Sequence, residues 1–256
     1  MSPPVGPAPG RRGPDPGHRF SPGDRVGAYV VTGLAGVGST AAVYRARHAV
    51  ACGDVALKVR HQPLDATCRR RFARECLVHW AVSGSPGVVR MHTASGVDEP
   101  EAWLAMELFD EPLSERLRRG ALPPAEAREA ALAVVDAVAA VHAAGFVHRD
   151  VNPGNVLLAS GRAALGDFGS ADHGRRPGAD PAEGTPPYRA PELLRGRDPG
   201  PVSDLYSTAM TVRTATAGCA PPELTEALRV AAAPEPEARS LGLEELREVL
   251  LRWCPR

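Results

Sequence analysis

The stretch His148-Arg149-Asp150-Val151-Asn152-Pro153-Gly154-Asn155 runs into a short apolar segment, Val156-Leu157-Leu158. A turn at Ser160-Gly161 and a second apolar segment, Ala163-Ala164-Leu165, lead to Asp167-Phe168-Gly169. Two carboxylates and an amide thus stand at the edges of two short predicted strands joined by a turn. Hard oxygen ligands at such edges suit a divalent cation, and a carboxylate beside them suits the proton of an attacking hydroxyl. Asp150 fits the second task, and Asn155 with Asp167 fits the first.

In order and spacing, this stretch resembles the catalytic loop and Asp-Phe-Gly motif of the protein kinases, with Val151 in place of the usual leucine. One His-Arg-Asp tripeptide arises easily by chance. Two motifs separated by a strand-turn-strand pattern are far more specific.

Working upstream, Tyr29-Val30-Val31 enters a glycine-rich turn, Gly33 to Gly38, and leaves through Ala41-Ala42-Val43-Tyr44. Three nucleotide-binding readings compete. A P-loop needs lysine after its second glycine, and Ser39 stands there instead. Gly36-x-Gly38-x-x-Ala41 also matches a dinucleotide fingerprint, with Asp54 downstream at a plausible distance. The next segment, Asp54-Val55-Ala56-Leu57-Lys58-Val59, decides for the kinase resemblance. Lys58 is the only lysine in the chain, although lysine and arginine together number 30. A compact ammonium reaches between phosphates and a carboxylate as a planar guanidinium does not.

The resemblance implies a role for each matching position. Gly36 and Gly38 close over the phosphates of ATP, and Val43 and Ala56 roof the adenine. Leu157 belongs to the same nucleotide set, and Lys58, paired with Glu75, grips the phosphates. The backbones of Glu107 and Phe109 meet the adenine edge, with Met106 as gatekeeper. Asp150 orients the nucleophile, and Asn155 and Asp167 hold Mg²⁺. Asn152 occupies a position where Ser/Thr kinases carry lysine, and loss of that charge-assisted contact would cost ~2–4 kcal/mol of transition-state stabilisation. Ala41 replaces the third glycine. His79 would face Phe168, as a packing residue rather than a pH sensor. Thr185, Ala190-Pro191-Glu192 and Arg239 match the peptide platform and its bracing ion pair. Ser203-Asp204 matches the start of the central helix of the large lobe.

The fold expected is α+β and bilobal, with a β-rich N-lobe over about 25–106 and a helical C-lobe over about 110–254. Residues 1–24 carry seven prolines among glycines and few large apolar side chains, so they read as a disordered tail. A proline-recognition ligand is the other reading of that tail. A helix is expected over 68–82. Another opens at Pro123-Pro124, with Leu132, Val135 and Ala139 repeating at helical spacing, and ends at Gly145. Leu243, Leu246 and Leu250 mark a last amphipathic helix. The stretch from Gly218 to Arg239 is short for the family, which puts its substrate-docking helix in doubt.

At 256 residues and zero formal net charge, the chain has core enough for two lobes and no global signal for nucleic acid or an anionic membrane. Its five scattered cysteines lack any Cys-x-x-Cys pair, which fits reduced thiols in the cytoplasm. The apolar window Ala130 to Val147 is mostly alanine and contains Asp136, so it reads as a buried helix and no membrane span.

Between Ala171 and Gly184 there is no serine, threonine or tyrosine. Phosphorylation inside that segment is therefore not expected to control the protein, and Asp180 or Glu183 is expected to supply Arg149 with a fixed charge. The function implied is ATP-dependent transfer to Ser or Thr hydroxyls of protein substrates. The alternatives are an ATP-binding pseudokinase and, with less support, a small-molecule phosphotransferase.

Overall fold

The computed structural model describes residues 19–50, 53–61, 65–173 and 184–255. The first lobe is a six-stranded sheet with one helix. Its strands are β1 (Arg25–Val26), β2 (Tyr29–Val37), β3 (Ala41–His48), β4 (Asp54–Arg60), β5 (Met91–Ala94) and β6 (Trp103–Glu107), in the order β1-β2-β3-β4-β6-β5. Every pairing is antiparallel, with Val43 opposite Lys58 and Ala56 opposite Met106.

Side chains alternate along β4 because strand residues point to opposite faces in turn. Val55, Leu57 and Val59 join Tyr44, Trp103 and Val31 in a core on one face. Ala56 packs with Phe72, Leu104 and Met106 on the other. That second face also carries Lys58 and Arg60.

Residues 19–24, expected in the tail, are packed on this lobe. The Arg19 amide donates to Tyr44 Oη at 2.9 Å, and the Phe20 ring meets Tyr44 edge-on at 5.8 Å. The boundary expected at residue 24 therefore moves to before Arg19, because one aromatic in the proline-rich stretch finds a partner. Residues 1–18 of the expected tail lie outside the described residues.

Helix α1 (Ala66–Val82) begins two residues before its expected start, since Asp65 caps it by accepting the Cys68 amide at 2.7 Å. The loop after α1 is pinned to the second lobe. Gly87 has φ +70°, and a Cβ there would lie 2.1 Å from the Ala133 carbonyl oxygen. Its own carbonyl accepts the Leu165 amide at 2.7 Å, and the Val89 amide returns a bond to Leu165 at 3.0 Å.

The second lobe contains β7 (Glu111–Pro112), α2 (Leu113–Leu117), α3 (Pro124–Ala143), β8 (Val156–Ala159) and β9 (Arg162–Leu165). It continues with α4 (Pro191–Leu194), α5 (Pro201–Ala215), α6 (Pro222–Ala231) and α7 (Leu243–Arg252). Strands β7, β8 and β9 form a small sheet. Helix α3 ends before Gly145, which takes φ +82°.

It buries Ala127, Ala130, Ala131, Ala133, Val134, Val135, Ala137, Val138 and Val141, while Leu132 and Ala139 are partly buried. The three residues expected at helical spacing all lie on this helix, with Val135 fully buried and Leu132 packed against the same core. In an alanine-rich helix little side-chain contrast marks the inner face, so the packing partners choose it. Helix α6 fills the short stretch after Gly218 and buries Leu224, Ala227, Leu228 and Ala231. Glu192 and Arg239 form a buried two-pronged ion pair, with both contacts at 2.7 Å. Among the described residues no helix is long and apolar enough to cross a membrane.

Candidate active site

The alternation of β4 aims Lys58 into the space between the lobes. Its Nζ donates to Glu75 Oε1 on α1 at 2.6 Å and to Asp167 Oδ1 at 2.9 Å. Glu75 is only 2% exposed, so its charge needs compensation. Arg60, two residues along the same strand face, supplies a second cation to Oε2 at 2.5 Å. Burial opposes the Lys58 charge, but the Asp167 and Glu75 carboxylates outweigh it and raise the ammonium above its ordinary range. Lys58 draws Asp167 the other way, to about 2.

The catalytic loop is hung from α5. Asp204, in the first turn of that helix, accepts the His148 amide at 2.7 Å, the Arg149 amide at 2.8 Å and His142 Nε2 at 2.9 Å. Arg149 and Asp167 both take left-handed φ values, 71° and 57°. Such backbone is costly for residues with a Cβ and persists where the surroundings enforce it. Beneath the loop, the Phe168 ring lies between His79, with centroids 4.7 Å apart, and His148, at 5.2 Å. His79 therefore meets Phe168 as expected, and its Nε2 lies 2.7 Å from the Val89 carbonyl.

Asp150 is held by three side chains. Its Oδ1 accepts from Asn152 Nδ2 and from Thr185 Oγ1, each at 2.9 Å, and its Oδ2 accepts from Asn155 Nδ2 at 3.1 Å. Asn152 Oδ1 in turn accepts the Gly154 amide at 2.8 Å. An ionised carboxylate offers about four acceptor sites, so roughly one remains for a substrate hydroxyl. Asn152 is thus committed to orienting Asp150 and the loop.

A cleft of about 300 Å³ opens between these groups and the hinge. Gly36, Gly38, Val43, Ala56, Lys58, Phe109, Leu157 and Asp167 line it, with Met106 at the back. Glu107 does not line it. Its side chain pairs with Arg162 at 2.7 Å, and its amide donates to the Arg90 carbonyl. Both hydrogens of the Asn155 amide nitrogen are spent on Asp150, and no hydrogen bond reaches its oxygen among the described residues. That oxygen and the Asp167 carboxylate are a hard donor pair that fits Mg²⁺ shared with phosphate oxygens. No cluster of three or more His, Cys, Asp or Glu suited to a metal occurs among the described residues.

The protein kinase domain model matches residues 29–234. The chain belongs to the protein kinase family. It is 32% identical over 220 residues to the serine/threonine-protein kinase PknK of Mycobacterium tuberculosis, covering 81% of this chain and 20% of that one. It is 35% identical over 209 residues to the serine/threonine-protein kinase AfsK of Streptomyces griseus, covering 77% and 25%. This kinase-family chain thus spans a quarter or less of the length of those relatives. The crystal structure of the Mycobacterium tuberculosis PknI kinase domain superposes with a TM-score of 0.69 at 29% identity, covering 91% of this chain and 99% of that one.

Of the residues that sequence reading singled out, Lys58, Glu75, Asn155 and Asp167 line one cleft, and Asp150 lies next to it through its bonds to Asn155. Sequence reading missed Arg60 as the second partner of Glu75, although its spacing of two from Lys58 was a readable signal. It also missed Thr185 as a ligand of Asp150, and Asp172, which meets Arg74 and Arg149. Those last contacts join segments far apart in sequence. Asp180 and Glu183, expected to face Arg149, lie outside the described residues.

Proposed function

We propose that this chain transfers the γ-phosphate of ATP to Ser or Thr hydroxyls of proteins. The observation that carries the reading is the Asp150 carboxylate, fixed by Asn152, Asn155 and Thr185 beside a formed Lys58–Glu75 pair. In phosphoryl transfer the protein chiefly positions groups and stabilises charge. Lys58 would hold the α and β phosphates, and Glu75 keeps its ammonium in place. Asp150 would orient the acceptor hydroxyl and take its proton through its open acceptor site. Mg²⁺, held by Asn155 and Asp167, would neutralise charge on the phosphates.

Thr185 and the braced Glu192 segment support a peptide acceptor, as does the likeness to serine/threonine-protein kinases. Asn152 brings no charge to the phosphates, so the rate is expected in the slow part of the kinase range. Among the described residues Cys68, Cys76, Cys219 and Cys254 carry free thiols, which supports a cytoplasmic setting.

Radiolabel transfer from Mg·ATP to a generic basic protein tests the reading. Asp150→Asn is expected to lower the rate by at least about 10²-fold while nucleotide affinity stays within about twofold. Equal transfer by the variant and the wild type would refute the assignment.

A further inference from the structure

We infer that Asp172 is a positioning residue for phosphoryl transfer, a fixed carboxylate that ties helix α1 to the catalytic loop where a phosphorylated side chain would otherwise be needed. The inference rests on the kinase reading and deepens it to the control of the same site.

Asp172 is 8% exposed and stands five residues after Asp167. Its backbone is fixed on the strand entering the catalytic loop. The Val147 amide donates to the Asp172 carbonyl at 2.7 Å, and the Asp172 amide donates to Val147 at 3.0 Å. Its Oδ2 lies 3.2 Å from Arg74 Nη1 on α1 and 3.9 Å from Arg149 Nη2 of the catalytic loop. Oδ1 accepts the His173 amide at 2.9 Å, which orients the carboxylate. One buried anion therefore faces two cations from elements more than 70 residues apart in the chain.

Arg74 immediately precedes Glu75, so whatever fixes Arg74 fixes the carboxylate that holds Lys58. Arg149 immediately precedes Asp150, so its anchoring bears on the catalytic carboxylate as well. A phosphate ordering a kinase loop works by meeting arginines of this kind. Here the segment from Ala171 to Gly184 offers no hydroxyl to phosphorylate, and a carboxylate occupies the junction instead. Arg60, bound to the other oxygen of Glu75, holds α1 from the sheet side. Both clamps are written into the sequence, so α1 holds its catalytic position without modification.

The full chain, treated with phosphatase and checked by intact mass, would be compared with Asp172→Asn, Asp172→Glu and Arg74→Ala. Two readouts are taken, transfer kinetics and amide hydrogen exchange along α1. The unphosphorylated wild type is expected to retain its rate. Asp172→Asn and Arg74→Ala should each lower kcat about tenfold, with KM for ATP changed less, and should speed exchange in α1. The double variant should be no slower than either single one, since both break one bridge. Asp172→Glu should recover most of the loss, which a purely packing role would not allow.

Loss of activity on phosphatase treatment would overturn the inference. So would unchanged kcat in Asp172→Asn, or a fall in kcat with α1 exchange unaltered. Failure of the wild type to transfer phosphate under any condition would instead refute the kinase reading, and α1 exchange in Asp172→Asn would still decide whether the bridge holds the helix.

Discussion

His79 puts a titratable ring where it touches the Phe168 ring on one side and the Val89 carbonyl on the other. Burial, the largest influence, lowers its pKa below the ordinary 6.5, although the Val89 contact works the other way. The neutral ring is therefore the folded form near neutral pH. A histidine whose folded pKa is depressed contributes stability that is full above the unfolded value and is lost as pH falls through the folded one. Between about pH 7.5 and about pH 5.5 the wild type should lose stability that His79→Leu keeps. Thermal melts of both proteins at the two pH values measure it, and equal losses would show that His79 does not titrate on unfolding. The residue was legible as a neighbour of Phe168 from its place one turn beyond Glu75. Its bond to Val89 was not, because that contact depends on how the loop after α1 folds back.

At the scale of elements, the loop at Gly87 ties α1 to α3, beside the core that Val78 and Val82 share with α3. A side chain at Gly87 would meet the α3 backbone at Ala133 and would also strain a left-handed φ. Gly87→Ala is accordingly expected to cost about 2–4 kcal/mol in urea unfolding, because neither the clash nor the φ can relax locally. A loss below about 0.5 kcal/mol would mean that the loop slides on α3. Sequence periodicity located both helices but not their contacts. The start of α1 was hidden in a cap, where Asp65 satisfies an amide that no apolar pattern marks. The inner face of α3 was hidden by its alanines.

For the whole molecule, the two lobes meet at the Lys58–Asp167 pair and along the stack from His79 through Phe168 to His148. A ligand gripped by both lobes should stabilise them jointly. An ATP analogue with Mg²⁺ at a hundredfold excess over its Kd is expected to add about 2.7 kcal/mol, a rise in Tm of roughly 5–10 °C. Asp167→Ala should remove the Mg²⁺-dependent part of that rise and leave any metal-free part. Differential scanning calorimetry with and without Mg²⁺ measures both. A rise of the same size in Asp167→Ala would show that Asp167 does not carry the metal.

The amino-acid sequence by itself determined the family and the order of the lobes, because the motifs of the family hold few residue types in a fixed order along the chain. The lone lysine and the two ordered motifs were enough for that. Only the tertiary structure decided how the groups of the site are held. Arg60 on Glu75, Thr185 and Asn152 on Asp150, and Asp172 between Arg74 and Arg149 are contacts that close when distant segments pack. A surface arginine and a buried clamp look alike in sequence, and desolvation in the folded core separates them.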